Sequence, residues 1–414
     1  MNVQASYLHA ETIAVYRLSL QQVAIHIILI MPSFRLAALS LLALAVVCQA
    51  TPLPDASSIP ATDYDVVIVG GGPAGLSALS GLSRVRRKSL MIDSGEYRNG
   101  LTRHMHDVIG NDGQSTQNIG EISIGLEISN MCAGTVPEVF RAKAREQISK
   151  YPTASMKNGT VASIVSVNNA SSFITTDASG QTYTSRKVVL ATGLVDVLPD
   201  TPGLKEAWSR GIYWCPWCDG YEHRDQPFGI LGSIVDVVGS VLEVETLNSD
   251  IIAFVNGTYT DDNVAILDKK RPGWKTQLQK FGVGIENSTI DSIVRLQDGA
   301  VVHNTTTDTE YDIFQINLAD GSTFERGAFI TNFPSIQHSY LGVPLGVKIY
   351  SEKMNVDPAS MRAAPGVFAV GDANSDNSTN VPHAMFTGKK AAVYIHGKLI
   401  ISVIVECVAY PEYS

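Results

Sequence analysis

With 414 residues, 45% hydrophobic and 17% charged, the chain can bury cores for two ordinary domains, which excludes a disordered protein. A formal net charge of −9, with no Lys/Arg run, argues against a general nucleic-acid binder. Five cysteines (Cys48, Cys132, Cys215, Cys218 and Cys407) are too few and too unevenly spaced for a disulfide scaffold.

The amino terminus reads as a leader. Arg35 precedes an apolar run from Leu36 to Val47, and Cys48-Gln49-Ala50 then supplies small residues for a cut. Residues 1–30 fit poorly ahead of such a signal, so the expected native start is Met31 and the expected route is secretory. A signal anchor built from Val23–Ile30 and Leu36–Val47 is the alternative. N-x-S/T triplets begin at Asn158, Asn169, Asn256, Asn287, Asn304 and Asn377 and lend the secretory route weak support.

Tyr64 to Val69 reads as a short buried strand, followed by Gly70-Gly71-Gly72-Pro73-Ala74-Gly75 and a helical apolar spacing over Leu76 to Val85. A second strand, Ser89 to Ile92, ends at Asp93, completing a β-α-β unit. Strands are expected around Val161–Val167 and Phe173–Thr176, and from Lys187 to Gly193. Turn-rich residues 198–203 mark a hinge. A second nucleotide-domain-like block runs to about 325, and the chain returns with Gly366 to Asp372 and a helix from Ala384 to about His396. Residues 114–134 interrupt the pattern as a surface insertion or unspliced intron, and the tail 399–414 is equally doubtful. No chemistry is assigned to Cys132 or Cys407.

The glycine motif has a defined physical use. Gly70 allows the tight strand-to-helix turn, Gly72 lets backbone approach a pyrophosphate, and Gly75 lets helix pack on strand. With Pro73 and Ala74, the helix start offers free N–H groups to phosphate, and Asp93 stands where a carboxylate accepts ribose hydroxyls. The strand, helix and acid together point to dinucleotide binding. They do not separate FAD from NAD.

Cys215-Pro216-Trp217-Cys218 is the second chemical motif. Two thiols at this spacing can close a redox disulfide. Half a zinc site is the competing reading, but no second pair completes four ligands; a buried structural disulfide is the other. Asp219 is a candidate proton carrier, or simply a helix cap.

These motifs, with Arg98-Asn99, His104-Met105-His106, Ala191-Thr192-Gly193, Cys215-Pro216-Trp217-Cys218-Asp219-Gly220, Gly371-Asp372 and Pro382-His383-Ala384, resemble the low-molecular-weight thioredoxin reductase family over about residues 63–396. Within it the chain is most similar to fungal dithiol oxidases of disulfide-containing secondary metabolite pathways. The resemblance implies an α/β fold of two Rossmann-like domains. The FAD domain is split into 63–197 and 326–398 around a redox-active, NAD(P)-like domain at 198–325. It implies a homodimer, and FAD held by Gly70, Gly72, Pro73, Ala74, Gly75, Asp93, Arg98, Asn99, Val161, Thr192, Gly193, Gly371, Asp372, His383 and Ala384. It also implies that Cys218 faces the flavin, that Cys215 is the interchange thiol, and that His383 touches the ring and can move a proton. His104 and His106 are expected to be packing or FAD-pocket residues, and His223 a solvated turn.

The second block should carry its own glycine fingerprint. Counting from Gly232, however, the second and third glycine positions hold Ile234 and Val237, and no arginine pair follows strand 251–255. A side chain at Ile234 obstructs pyrophosphate approach. The expectation is therefore a thiol oxidase: a small-molecule or peptide dithiol reduces the Cys215–Cys218 disulfide, electrons pass to FAD, and O2 accepts them to give H2O2. The alternatives are an NADPH-dependent reductase with an unusual pocket and a non-catalytic or defective flavoprotein.

Overall fold

The computed structural model describes residues 61–111, 135–376 and 379–409, with only the backbone from 401 onward. The leader, the interruption at 114–134 and the last residues of the tail lie outside the described residues. The final helix, Val381–Ala409, begins before Ala384 and runs on through Lys398, so part of the doubtful tail continues a regular element.

The first sheet grows from the predicted β-α-β unit. Strand Tyr64–Val69 pairs in parallel with Ser89–Asp93 on one side and Thr182–Leu190 on the other. Its Val66, Val67 and Ile68 are fully buried, as an uninterrupted apolar run covered on both faces requires. Ala154–Asn158 extends one edge and Val367–Ala369 the other, so the C-terminal return joins the sheet begun at residue 64. Helix Pro73–Arg84 starts with proline in its first turn and buries Leu76, Leu79 and Leu82 against this sheet.

The second sheet is parallel, in the order Gly284–Glu286, Ile251–Phe254, Phe228–Leu231, Ala328–Thr331, Ile212–Tyr213. An antiparallel three-stranded sheet, Ile290–Gln297, Ile313–Leu318 and Thr323–Arg326, packs beside it. The expected domain boundary at 325/326 needs correction. Ala328–Thr331 pairs with Phe228–Leu231 and Ile212–Tyr213 and is fully buried there, so the return follows Thr331. Apolar periodicity cannot say which of two similar sheets a short strand completes. The two crossings run side by side as an antiparallel pair, Leu194–Asp196 with Ser335–Gln337. This arrangement sets the Cys215–Cys218 turn over the carboxyl end of the first sheet.

Candidate active site

A cavity of about 300 Å3 opens at the carboxyl ends of the first sheet's strands, where open α/β sheets bind ligands. Gly70, Gly72, Pro73 and Ala74 form its floor, and Arg98, Asn99, Val161, Thr192, Gly193, Gly371, Asp372 and Ala384 line the rest. Gly70 sits at φ +104°, and a Cβ there would run into the Ala191 carbonyl; only glycine suits both conditions. A Cβ at Gly75 would strike the carbonyl of Gly70, so Gly75 serves the helix–strand contact rather than the cavity. The buried Thr192 hydroxyl has no partner among the described residues and borders the cavity. These features fit a dinucleotide: unblocked helix-start backbone, a glycine turn with no room for side chains, and an unsatisfied hydroxyl.

Arg98 ties the wall together. Its guanidinium takes both oxygens of Asp196 (2.9 and 2.5 Å) and one of Asp372 (2.9 Å), and lies over the Trp214 ring. Burial opposes the charge, but the two carboxylates outweigh it and raise the Arg98 pKa.

Two expected cofactor contacts are placed differently. Asp93 does not line the cavity. Its carboxylate accepts from the N–H groups of Gly71 and Gly95 and from the Tyr97 hydroxyl, and it pairs with Arg145. These four donors turn it under the glycine loop instead of toward a ribose. His383 also lies off the cavity wall, with Nε2 2.8 Å from Asp376 Oδ1. The cause is Asn380, whose side chain accepts from the His383 N–H at 2.9 Å as a helix cap and so starts the helix three residues ahead of Ala384. Val381 and Ala384 face the cavity in its place.

Cys215 and Cys218 form a disulfide. Cys215 precedes the one-turn helix Pro216–Asp219, and its carbonyl accepts from the N–H groups of Cys218 and Asp219. Cys218 lines the cavity with Trp214 and Asp219, whereas Cys215 does not; beside it Trp217 projects into solvent. The two sulfurs therefore have different surroundings, one toward the cavity and one away from it.

Behind the disulfide lies a buried polar cluster that motif reading missed. His106 Nδ1 is 2.8 Å from the Cys218 carbonyl oxygen, so Nδ1 carries the hydrogen in the neutral ring. Its Nε2 faces Glu222 at 3.5 Å. His104 faces Glu310. His223, expected in a solvated turn, is 2% exposed, with Nδ1 at the Asp219 carbonyl and Nε2 at Asp312. Burial disfavours its protonation, yet Asp312 and Glu310 prevail and raise its pKa. Arg103 reaches Asp298, Glu310 and Asp312 across the domain boundary. The alternating His-Met-His and the His closing Cys-Asp-Gly-Tyr-Glu-His were visible signals, but only folding brings them together.

The Asp219 carboxyl is pushed up to about 7, chiefly by burial; Glu222 adds to the rise, and His106 and His223 oppose it. A carboxyl poised near neutrality can both give and take a proton. Its folded pKa exceeds the unfolded value, so its relative stabilisation is complete below about pH 4 and is lost as pH rises through about 7. We expect Asp219→Asn to be more stable than the wild type at pH 8 but not at pH 4, as melting temperatures at the two pH values would show.

A glycine-turn cavity with a disulfide at its wall defines a class, and the comparisons identify it. Residues 64–388 match the pyridine nucleotide-disulphide oxidoreductase family, and the chain belongs to that family. A probable thioredoxin reductase of Arthroderma benhamiae is 48% identical over 376 residues, covering 89% of this chain and 87% of that protein. The thioredoxin reductase tcpT of Claviceps purpurea is 30% identical, covering 79% of this chain and 91% of its own. Among solved structures, HlmI superposes with a TM-score of 0.66 at 26% identity, covering 84% of this chain and 95% of the other. An Agrobacterium tumefaciens oxidoreductase gives 0.66 at 25%, covering 82% and 99%. The protein is thus a thioredoxin reductase-like, FAD-binding oxidoreductase acting on disulfide/dithiol chemistry.

Proposed function

We propose that the protein is a dithiol oxidase, converting a small-molecule or peptide dithiol into its disulfide with O2 as electron acceptor. The observation that carries this reading is the state of the second nucleotide fold. Gly232 packs against the Asn332 side chain much as Gly70 packs against Ala191, so the difference between the two nucleotide folds lies at the helix start. The N–H groups that start helix Ile234–Val244 are already used. Ile234 N–H donates to the Thr258 hydroxyl at 3.0 Å and Val235 N–H to the Ser233 hydroxyl at 3.3 Å. The Ile234 side chain, expected to obstruct a pyrophosphate, is instead fully buried in the core of this domain, so the occupied N–H groups and not that side chain carry the argument. An incoming pyrophosphate must displace these bonds, and a helix start with satisfied donors offers it little.

A substrate thiolate attacks Cys215, Cys218 leaves toward the cavity, and the second substrate sulfur displaces Cys215 to complete the product disulfide. Asp219 holds or releases the proton. FAD, when bound, supplies a two-electron acceptor for the reduced cysteine pair and a donor to O2, giving H2O2. Secretory localisation, inferred from the leader at 31–50, accords with this direction, since disulfides persist in oxidising compartments. A homodimer is part of the same reading. The second reading is an NADPH-dependent reductase, and the relatives' names, which say thioredoxin reductase, favour the reductase direction.

Anaerobic mixing separates the two readings. A small dithiol should bleach the flavin, whereas NADPH should leave it oxidised; bleaching by NADPH and not by dithiol would reverse the assignment.

A further inference from the structure

The polar cluster behind the disulfide lines a second, small chamber of about 10 Å3, roughly room for one water. Asp219, His104 and His106 line both this chamber and the flavin-side cavity, forming the wall between them. Glu222 lines only the chamber. It is 4% exposed, its Oε1 lies 3.5 Å from His106 Nε2, and its Oε2 has no partner among the described residues. A carboxylate oxygen so deeply buried and unsatisfied carries a cost that a purely structural role does not explain. The side chains of His106, Glu222 and Asp308 bring ligand-type atoms within 4.8 Å of one another, and Asp308 is only partly buried. The series therefore runs from the cavity wall outward.

We propose that Glu222 is the relay through which a proton leaves the disulfide site, taken in by Asp219, passed across the chamber beside His106 and delivered to solvent at Asp308.

The proposal rests on the dithiol-oxidase reading for its direction, and the exchange it serves balances. One substrate sulfur bonds to Cys215 as the Cys215–Cys218 bond breaks; the second substrate sulfur then displaces Cys215, forming the product disulfide. The enzyme sulfurs gain the two electrons the substrate loses. Two protons leave the substrate: Cys215 keeps one as a thiol, and with Cys218 left as a thiolate the other must depart. The wall between cavity and chamber offers it Asp219. Because the His106 Nδ1 hydrogen is committed to the Cys218 carbonyl, the basic nitrogen of that ring is Nε2, on the chamber side next to Glu222. Burial, with Asp308 adding to it, raises the Glu222 pKa, while His106 and His223 pull the other way. Asp219 and the buried Tyr213 are further titratable groups that its charge reaches. Glu222 touches neither sulfur and acts through its neighbours.

The test uses the FAD-loaded full chain. An indicator dye follows proton release on anaerobic mixing with one equivalent of dithiothreitol, for wild type, Glu222→Gln, Glu222→Asp and Asp308→Asn. Wild type should release one proton with the exchange. Glu222→Gln should slow release by on the order of tenfold, Glu222→Asp should keep most of the rate, and added formate should restore Glu222→Gln. A second readout needs no turnover. In the reduced protein, the pH dependence of cysteine alkylation by iodoacetamide should show two steps, the lower belonging to Glu222, whose pKa burial raises. Glu222→Gln should lose the lower step. Unchanged proton release and an unchanged alkylation profile in Glu222→Gln would overturn the relay. If the alkylation result holds while wild type oxidises no dithiol, the oxidase reading fails and the relay stands. Should Glu222→Gln fail to fold, Asp308→Asn carries the test: slower release than wild type is expected, and release equal to wild type is the overturning result.

Discussion

Cys218→Ser should lower dithiol-dependent O2 consumption by about three orders of magnitude or more, while the protein stays folded and keeps its flavin. Of the two cysteines, Cys218 is the one on the cavity wall, so a serine there breaks the route from the disulfide to a cofactor in that cavity. Retention of flavin follows from the geometry: the glycine turn at Gly70–Gly75, the Thr192 hydroxyl and the Arg98–Asp372 pair are independent of the sulfur. An oxygen electrode with small dithiols checks the rate, and the visible spectrum checks the flavin. Cys215→Ser should be equally slow in turnover. It should differ in leaving a cavity-facing thiol at Cys218, which titration with a chromogenic disulfide would detect. Oxygen consumption by Cys218→Ser at the wild-type rate would move the redox centre away from this pair.

The second large effect is on stability. Arg103 is the hub of a buried ion cluster, with Asp312 fully buried and Glu310 almost so. Arg103→Met leaves these carboxylates with too little positive charge, and removing one partner from a buried pair costs about 3–5 kcal/mol. For domains of this size that is a fall in melting temperature of roughly 10 °C. Asp312→Asn in the same chain should recover part of the loss, because it removes the charge that the first change stranded. Asp312 is buried, but hydrogen bonds from His223 and Arg103 hold its carboxyl well below the usual range. Its stabilising contribution is accordingly present above about pH 4 and is lost as pH falls further. Arg103→Met should therefore lose most of its disadvantage at the acid end, where wild type itself weakens. Thermal unfolding at several pH values measures both claims. The cluster also fixes segment 103–106, so the variant should bind flavin more weakly through displacement of His104 and His106.

Sequence alone determined much about this protein, because some of its signals are local. The run Tyr64–Val69, the glycines that follow and Ser89–Asp93 encode a β-α-β unit in hydrophobic period and backbone freedom, which depend on nearest neighbours. The C-x-x-C spacing likewise fixes a disulfide-capable turn within four residues. Tertiary structure decided everything that depends on what arrives from far along the chain. Asp93 was legible as an acid at a strand end, but Arg145, 52 residues on, occupies it. His383 was legible as a helix-start residue, yet Asn380 and Asp376 turn it from the cavity. Strand Ala328–Thr331 carries no mark of which sheet it joins. His106, His223, Glu222 and Asp312 look like scattered polar residues until residues about 90 to 110 apart come within hydrogen-bond reach. Burial then gives a carboxyl such as Asp219 a pKa that no sequence window contains, because desolvation belongs to the packed whole and not to the residue.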